Sequence, residues 1–243
     1  MDEAAFFREH GWIKLQGAVD PGLAGRLSLE LDRVFPEARL DSPRVHERAG
    51  VSSLSPLLLA QVRDPALARR IAALLGCARV QLLQDTALVK PPRSEARVEW
   101  HQDHTYTGYL DTTACVSVRL ALTDCSRESG CLRVLDGSHL SGPLGQVRAF
   151  RAAEVTDDSQ LLPHGWEERV VSLDLAPGDV SVHHCLTFHG SEENRSDRPR
   201  RTLIARMFDA RARLLPARLP PGLEAYFPTE PDGRLSQRAF PLL

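Results

Sequence analysis

Lysine is almost missing from this chain: two residues, Lys14 and Lys90, stand against 28 arginines. Genome composition accounts for that bias more simply than chemistry does, yet it makes each lysine worth following. There is no basic excess either, since the formal net charge is −2, so nothing points to nucleic acid. No run reaches 18 apolar residues, which leaves no candidate for a membrane-spanning helix. The five cysteines are irregularly spaced with no C-x-x-C pair, and are expected to stay reduced and mostly buried in a cytoplasmic protein. The opening M-D-E-A-A-F-F-R-E-H is acidic and amphipathic, unlike a secretory signal. Internal repeats and low-complexity runs are also missing.

What remains is an ordinary globular composition, 42% apolar over 243 residues, enough for one domain with a full core. Residues 2–10 read as a short helix and 12–15 as a strand. Asp20 is placed to cap a helix through Val34, with Leu23, Leu27, Leu31 and Val34 at helical spacing. Residues 40–55, which include His46, lack a period and read as a mobile loop. Residues 56–75 read as one helix ended by Gly76. From Val80 the pattern turns to β, with strands expected at 80–89, around 100–104, and at 114–123, 131–135, 170–175, 180–185 and 201–208. Pro177-Gly178-Asp179 forms a tight turn between two of them. Residues 142–168 interrupt the series without a period, and the proline-rich tail after Ala210 is expected to wrap the surface. The whole is a mainly β chain of one domain, 1–243: a helical section over about 1–78 bracing a double-sheet jelly roll (cupin-like double-stranded β-helix) over about 79–210, with a tail at 211–243.

The stretch W-H-Q-D-H, residues 100–104, carries the chemistry. In an extended strand, residues two apart share a face, so His101 and Asp103 can occupy adjacent corners of one metal ion. That is two-thirds of the 2-His-1-carboxylate triad of non-haem Fe(II) oxygenases. The third ligand is expected far along the chain, on the opposite sheet, among His183, His184 and His189 in V-H-H-C-L-T-F-H-G-S. His189 is favoured by its downstream neighbours, Ser191 two residues on and Arg200 on the next strand. An arginine there can pair with the far carboxylate of 2-oxoglutarate, whose keto-acid end would chelate the iron. Arg200 and Arg201 alternate at a strand start, so only one of them points inward; Arg195 and Arg198 read as a solvated turn.

These pieces resemble the phytanoyl-CoA dioxygenase family of Fe(II)/2-oxoglutarate oxygenases. The resemblance runs from F-R-E-H-G-W-I-K-L through V-K-P-P and W-H-Q-D-H-T-Y to S-G-C-L-R-V-L-D-G-S-H, A-P-G-D-V and H-G-S-E-E-N-R-S-D-R-P-R-R, about residues 6 to 208. It implies His101, Asp103 and His189 as iron ligands, Arg200 as anchor of the distal 2-oxoglutarate carboxylate, Ser191 as a hydroxyl donor to it, and Lys90 beside the co-substrate. Gln102 and Trp100 read as packing residues, His139 as part of a structural turn, and His104 and Tyr106 as candidates to face substrate. Two positions depart from the family. Asp136 replaces a proline before G-S-H, and Arg119 stands in V-S-V-R-L-A-L where an aromatic is common. Val116, Val118, Leu120 and Leu122 share one face of that strand and Ser117, Arg119 and Ala121 the other. That second face is either solvent or the cavity, and in the cavity Arg119 joins the co-substrate's residues.

The expected activity is oxidation, most simply hydroxylation, of an unactivated C–H bond of a small molecule, with Fe(II), 2-oxoglutarate and O2. Analogy alone places it in natural-product tailoring. The partners expected are a small-molecule substrate and neither nucleic acid nor membrane, with monomer or dimer open. A zinc hydrolase and a non-catalytic jelly-roll binding protein are the rivals. A halogenase of the same fold is opposed by Asp103, because that chemistry replaces the carboxylate with a small residue. Residues 40–55 and 142–168 are expected to form a lid facing the substrate.

Overall fold

A computed structural model describes residues 2–144, 157–219 and 221–243. The chain opens with α1 (Glu3–His10), whose first turn is capped by the Asp2 side chain, then β1 (Trp12–Leu15) and α2 (Pro21–Val34), capped by Asp20. Two further helices follow, α3 (Pro56–Val62) and α4 (Pro65–Leu75), where the apolar periodicity predicts one. The break has a local cause: Pro65 cannot continue a helix, and Asp64 turns outward to cap the next one through the backbone N–H groups of Ala66 and Leu67.

Residues 40–55 are more ordered than a loop. They contain an edge strand, β2 (His46–Ala49), paired antiparallel with β3 (Val80–Lys90), and a 3-10 turn (Val51–Leu54) held by Asp85, which accepts from the Ser52 backbone and hydroxyl. Period-two alternation is invisible in so short an edge strand.

The remaining elements are β4 (Val98–His101), α5 (His104–Thr107), β5 (Cys115–Ala121), β6 (Leu132–Leu135), β7 (Val170–Leu173), β8 (Val180–His184), β9 (His189–Ser191) and β10 (Arg200–Asp209). They build two antiparallel sheets, a large one in the order β1-β8-β5-β10-β3-β2 and a small one in the order β4-β9-β6-β7. Alternation along the large sheet decides what each face does. Val116, Val118, Leu203, Ala205, Val180 and Val182 join the main core, where α2, α3 and α4 cover the sheet. The other face, carrying Ser117, Arg119, Ile204 and Arg206, looks at the small sheet. Both faces of β5 are buried throughout, so the face shared by Ser117 and Arg119 is interior, not solvent.

The tail does more than wrap the surface. Leu219, Leu235 and Phe240 bury themselves with Tyr109, Leu110 and Phe208 in a second hydrophobic cluster. Its last residues also pair with β3: Leu82 N–H donates to Pro241, Leu243 N–H to Val80, and the Gln81 side chain to Leu235 and Phe240 carbonyls. Trp100, expected in the core, is only half-buried; its indole meets Trp166 edge-on at 4.9 Å, with Arg133 over it. The five cysteines are free thiols. Among the described residues no helix is long and apolar enough to cross a membrane.

Candidate metal centre

The strand β4 stops at His101. Gln102 leaves the sheet, and its amide donates to the carbonyls of Leu186 (2.7 Å) and Gly142 (3.0 Å) while accepting from the Leu144 N–H. This pins the corner against two separate loops. Asp103 is therefore not an extended residue sharing a strand face with His101. It has helical dihedrals (φ −59°, ψ −24°) and opens α5 without capping it, which leaves its carboxylate turned inward. The H-x-D spacing brings the two side chains together across a strand-to-helix corner, not along a pleat.

His189 also departs from expectation in its placement. It lies on β9, the immediate neighbour of β4 in the small sheet, and pairs directly with His101. The two imidazoles are 4.2 Å apart between ring centroids. Gly190 makes this approach possible, because a Cβ there would sit 2.8 Å from the Val98 carbonyl oxygen.

One ligand atom each from His101, Asp103 and His189 lies within 4.8 Å of the others, and all three residues are buried. Their hydrogen bonds define which atoms are available. His101 Nδ1 donates to the Glu99 carbonyl at 2.7 Å, and His189 Nδ1 to the Thr187 carbonyl at 2.9 Å. A carbonyl only accepts, so both rings carry a proton on Nδ1 and leave Nε2 as the atom available to a metal. Both Nε2 atoms stand 3.8 Å from Asp103 Oδ1. The outer oxygen, Oδ2, accepts from Ser117 Oγ at 2.6 Å and from His183 Nε2 at 3.2 Å. Burial pushes the Asp103 carboxyl up, but Arg206, His189 and His183 together outweigh it and hold the group well below the usual carboxylate range. The donor set, two imidazoles and one carboxylate with an open side, fits a divalent transition metal and leaves room for further ligands.

His183 and His184 take other places. His183 spends its Nε2 proton on Asp103 and orients that carboxylate. His184 points out of the barrel between Phe7 and His139, and burial pushes its imidazole down to about 4.

The triad opens into a cavity of about 410 Å³ lined by Arg119, Ser191, Tyr106, Ile204 and Arg206 among others. Arg119 thus faces the cavity. Behind it lies a knot of buried cations. Lys90 Nζ donates to Ser191 Oγ at 3.0 Å and to the Glu192 carbonyl, and Arg200 donates to the Gly130 carbonyl. Burial, then Arg200 and Arg119, push the Lys90 ammonium down to about 6; burial and Arg200 bring Arg119 to about 10. Two Arg200 nitrogens, Nε and Nη2, are buried without a hydrogen-bond partner among the described residues. Arg200 and Lys90 themselves stand outside the cavity's lining, which Arg119 and Ser191 form at this end.

Of the two residues proposed to face substrate, Tyr106 lines the cavity, whereas His104 is buried on α5 with Nδ1 unpartnered among the described residues. His139 bonds the Arg8 carbonyl, as a turn residue would. Asp136 accepts from His10 Nδ1 and Trp12 Nε1, tying α1 and β1 to the turn after β6. Sequence reasoning missed Ser117, whose only signal was its shared face with Arg119, and Glu47 and Ala49, which β2 brings to the cavity edge. The second half of the expected lid lies partly outside the described residues; its end is tied down by Asp158 N–H donating to the Trp100 carbonyl.

The family model for phytanoyl-CoA dioxygenase (PhyH) matches residues 7–202. The chain belongs to the phytanoyl-CoA dioxygenase family. It is 31% identical over 131 residues to phytanoyl-CoA dioxygenase 1 of Oryza sativa subsp. japonica, a match spanning 54% of this chain and 46% of that relative. The chain thus spans about half the length of that curated family member. It is 30% identical to the ectoine dioxygenase of Bordetella parapertussis over 82% of this chain and 72% of the relative. Among solved structures, the family's fold recurs in SnoK, a non-heme alpha-ketoglutarate-dependent carbocyclase from nogalamycin biosynthesis. Its TM-score is 0.83 at 25% identity, covering 100% of this chain and 96% of SnoK.

Proposed function

We propose that this family member is an Fe(II)/2-oxoglutarate-dependent dioxygenase that oxidises a C–H bond of a small molecule. His101, Asp103 and His189 hold the iron. The observation that carries the reading is the pair of Nδ1 ties to backbone carbonyls, which leaves two Nε2 atoms facing one carboxylate oxygen. Bound there, Fe(II) supplies with 2-oxoglutarate and O2 the oxidising power for an unactivated C–H bond, the keto acid leaving as succinate and CO2.

The chain's own groups do the rest. Ser117 and His183 hold the outer oxygen of Asp103, so the inner one stays aimed at the metal. The distal carboxylate of 2-oxoglutarate is bound at the Arg119–Ser191 end of the cavity, with Arg200 and Lys90 behind. An anion there offsets a buried cationic cluster in which two Arg200 nitrogens have no acceptor among the described residues. The substrate enters from the opposite side, past Tyr106. Tailoring of a natural product in the cytoplasm is the setting we favour, supported by the likeness to SnoK and the free thiols.

The test is anaerobic addition of Fe(II) and 2-oxoglutarate, which should produce the weak visible charge-transfer band of a chelated keto acid. Turnover supported by Zn(II) alone, with no such band, would show a hydrolase instead.

A further inference from the structure

A second cavity, of about 290 Å³, opens beside the first. Its walls come from the tail: Tyr226, Phe227 and Phe240 close it from one side, and Tyr109, just after α5, from the other. Aromatic residues make up 6% of the chain, yet four of them line this one small cavity. Phe227 and Phe240 run nearly parallel, 9° between planes and 5.8 Å between centroids, and Tyr109 meets Phe227 at 4.7 Å. Leu83 and Leu223 complete an apolar lining.

Gln84 is common to both cavities. A bulge in the β3–β10 ladder places it there: Arg206 pairs with Gln84 and Met207 with Leu82, so Leu83 is the extra residue. The Gln84 side-chain oxygen is buried and accepts no hydrogen bond among the described residues. Arg206, its partner across the ladder, reaches to 3.6 Å from Asp103 Oδ1. The aromatic cavity and the metal cavity therefore meet at Gln84, an acceptor without a donor among the described residues. Together the two cavities fall in the range of about 300–1,000 Å³ common for small-molecule sites.

We propose that this slot seats the substrate, and that the substrate is a planar fused-ring aromatic bearing a hydroxyl that donates to Gln84. Flat rings bury the most area against aromatic walls, and the unfilled oxygen of Gln84 selects a donor over a bare hydrocarbon. The inference rests on the oxygenase reading for what happens to the molecule, but binding in the slot is independent of iron chemistry.

The probe is 2,6-dihydroxyanthraquinone, whose hydroxyls lie clear of the quinone carbonyls, titrated by its absorption into the full metal-free chain, with 1-adamantanol as a non-planar competitor. The dye should bind and adamantanol should not displace it. Phe227→Ala should weaken binding about tenfold, the scale of one lost aromatic contact. Tyr226→Ala should weaken it in the same direction; that side chain is 58% exposed, so its loss leaves the fold intact. Gln84→Leu should weaken the dihydroxy dye but not unsubstituted anthraquinone. With Co(II) added, the proton resonances of the bound dye should broaden, since the slot adjoins the triad. Absence of dye binding, displacement by adamantanol, binding indifferent to all three substitutions, or sharp resonances beside Co(II) would each overturn the proposal. If the dye behaves as expected but Fe(II) and 2-oxoglutarate give no charge-transfer band, the slot stands and the oxygenase reading fails.

Discussion

Arg200 and Arg201 are consecutive on β10 and serve opposite sides of the sheet. Arg200 is buried in the barrel against the Gly130 carbonyl, with two nitrogens unpartnered among the described residues, whereas Arg201 turns out to a bidentate ion pair with Asp32 of α2, 2.8 and 3.0 Å. Arg200→Ala should weaken 2-oxoglutarate binding by removing a positive charge from behind Arg119 and Ser191, by less than the ~1.5–3 kcal/mol of a direct charge-assisted hydrogen bond. Arg201→Ala should leave binding unchanged and cost about 0–1 kcal/mol of stability, because Asp32 is half exposed. Calorimetric titration of both variants decides it, and the reverse result would place the register one residue out.

Metal binding should separate the three histidines near the C-terminal end of the barrel. His189→Ala is expected to abolish binding at micromolar Fe(II) or Co(II), since its Nε2 faces Asp103 Oδ1. His183→Ala should weaken binding without abolishing it, and His184→Ala should leave it intact. Co(II) absorption titrations read all three; strong binding by the His189 variant would remove it from the ligand set.

Ser117→Ala tests the support of the carboxylate. With its 2.6 Å bond to Asp103 Oδ2 gone, the carboxylate is held by His183 alone on that side. Losing such a partner typically costs about 10–100-fold in metal affinity. A competition assay against a chelator should show a loss of that order, and an unchanged affinity would mean that His183 suffices.

Lys90 makes stability depend on pH. Folded, its ammonium is pushed down to about 6 by burial and by Arg200 and Arg119, whereas unfolded it titrates near ~10.4. Between these values the unfolded chain binds more protons, so this residue makes the protein more stable as pH rises from about 6 toward 10. In the metal-free protein Lys90→Met should therefore be more stable than the parent near pH 6.5, with the gap narrowing toward pH 9. Urea unfolding at several pH values measures the gap; a gap that is flat or widens would contradict the burial of an ammonium beside Arg200 and Arg119.

Several features were legible because they are local. Asp20 caps α2 through its own side chain three residues on, and β5 alternates whatever it packs against. The Asp64-Pro65 break between α3 and α4 was equally local, but an unbroken apolar stripe outweighed it in a reading by periodicity. His101 and Asp103 were found by spacing, although the spacing argument assumed a strand and the chain turns a corner instead. That corner depends on Gln102 reaching Leu186, 84 residues away, which no window of sequence contains.

By itself, then, the amino-acid sequence determined the candidate ligand types, the Arg200/Arg201 alternation and the two faces of β5. Only the tertiary structure decided that His189 sits beside His101 in one sheet, that Arg119 faces a cavity, and that the tail's aromatics meet Tyr109. The physical reason is the same in each case. Alternation divides a strand into two faces but does not say what covers either, because covering comes from segments brought in from far along the chain.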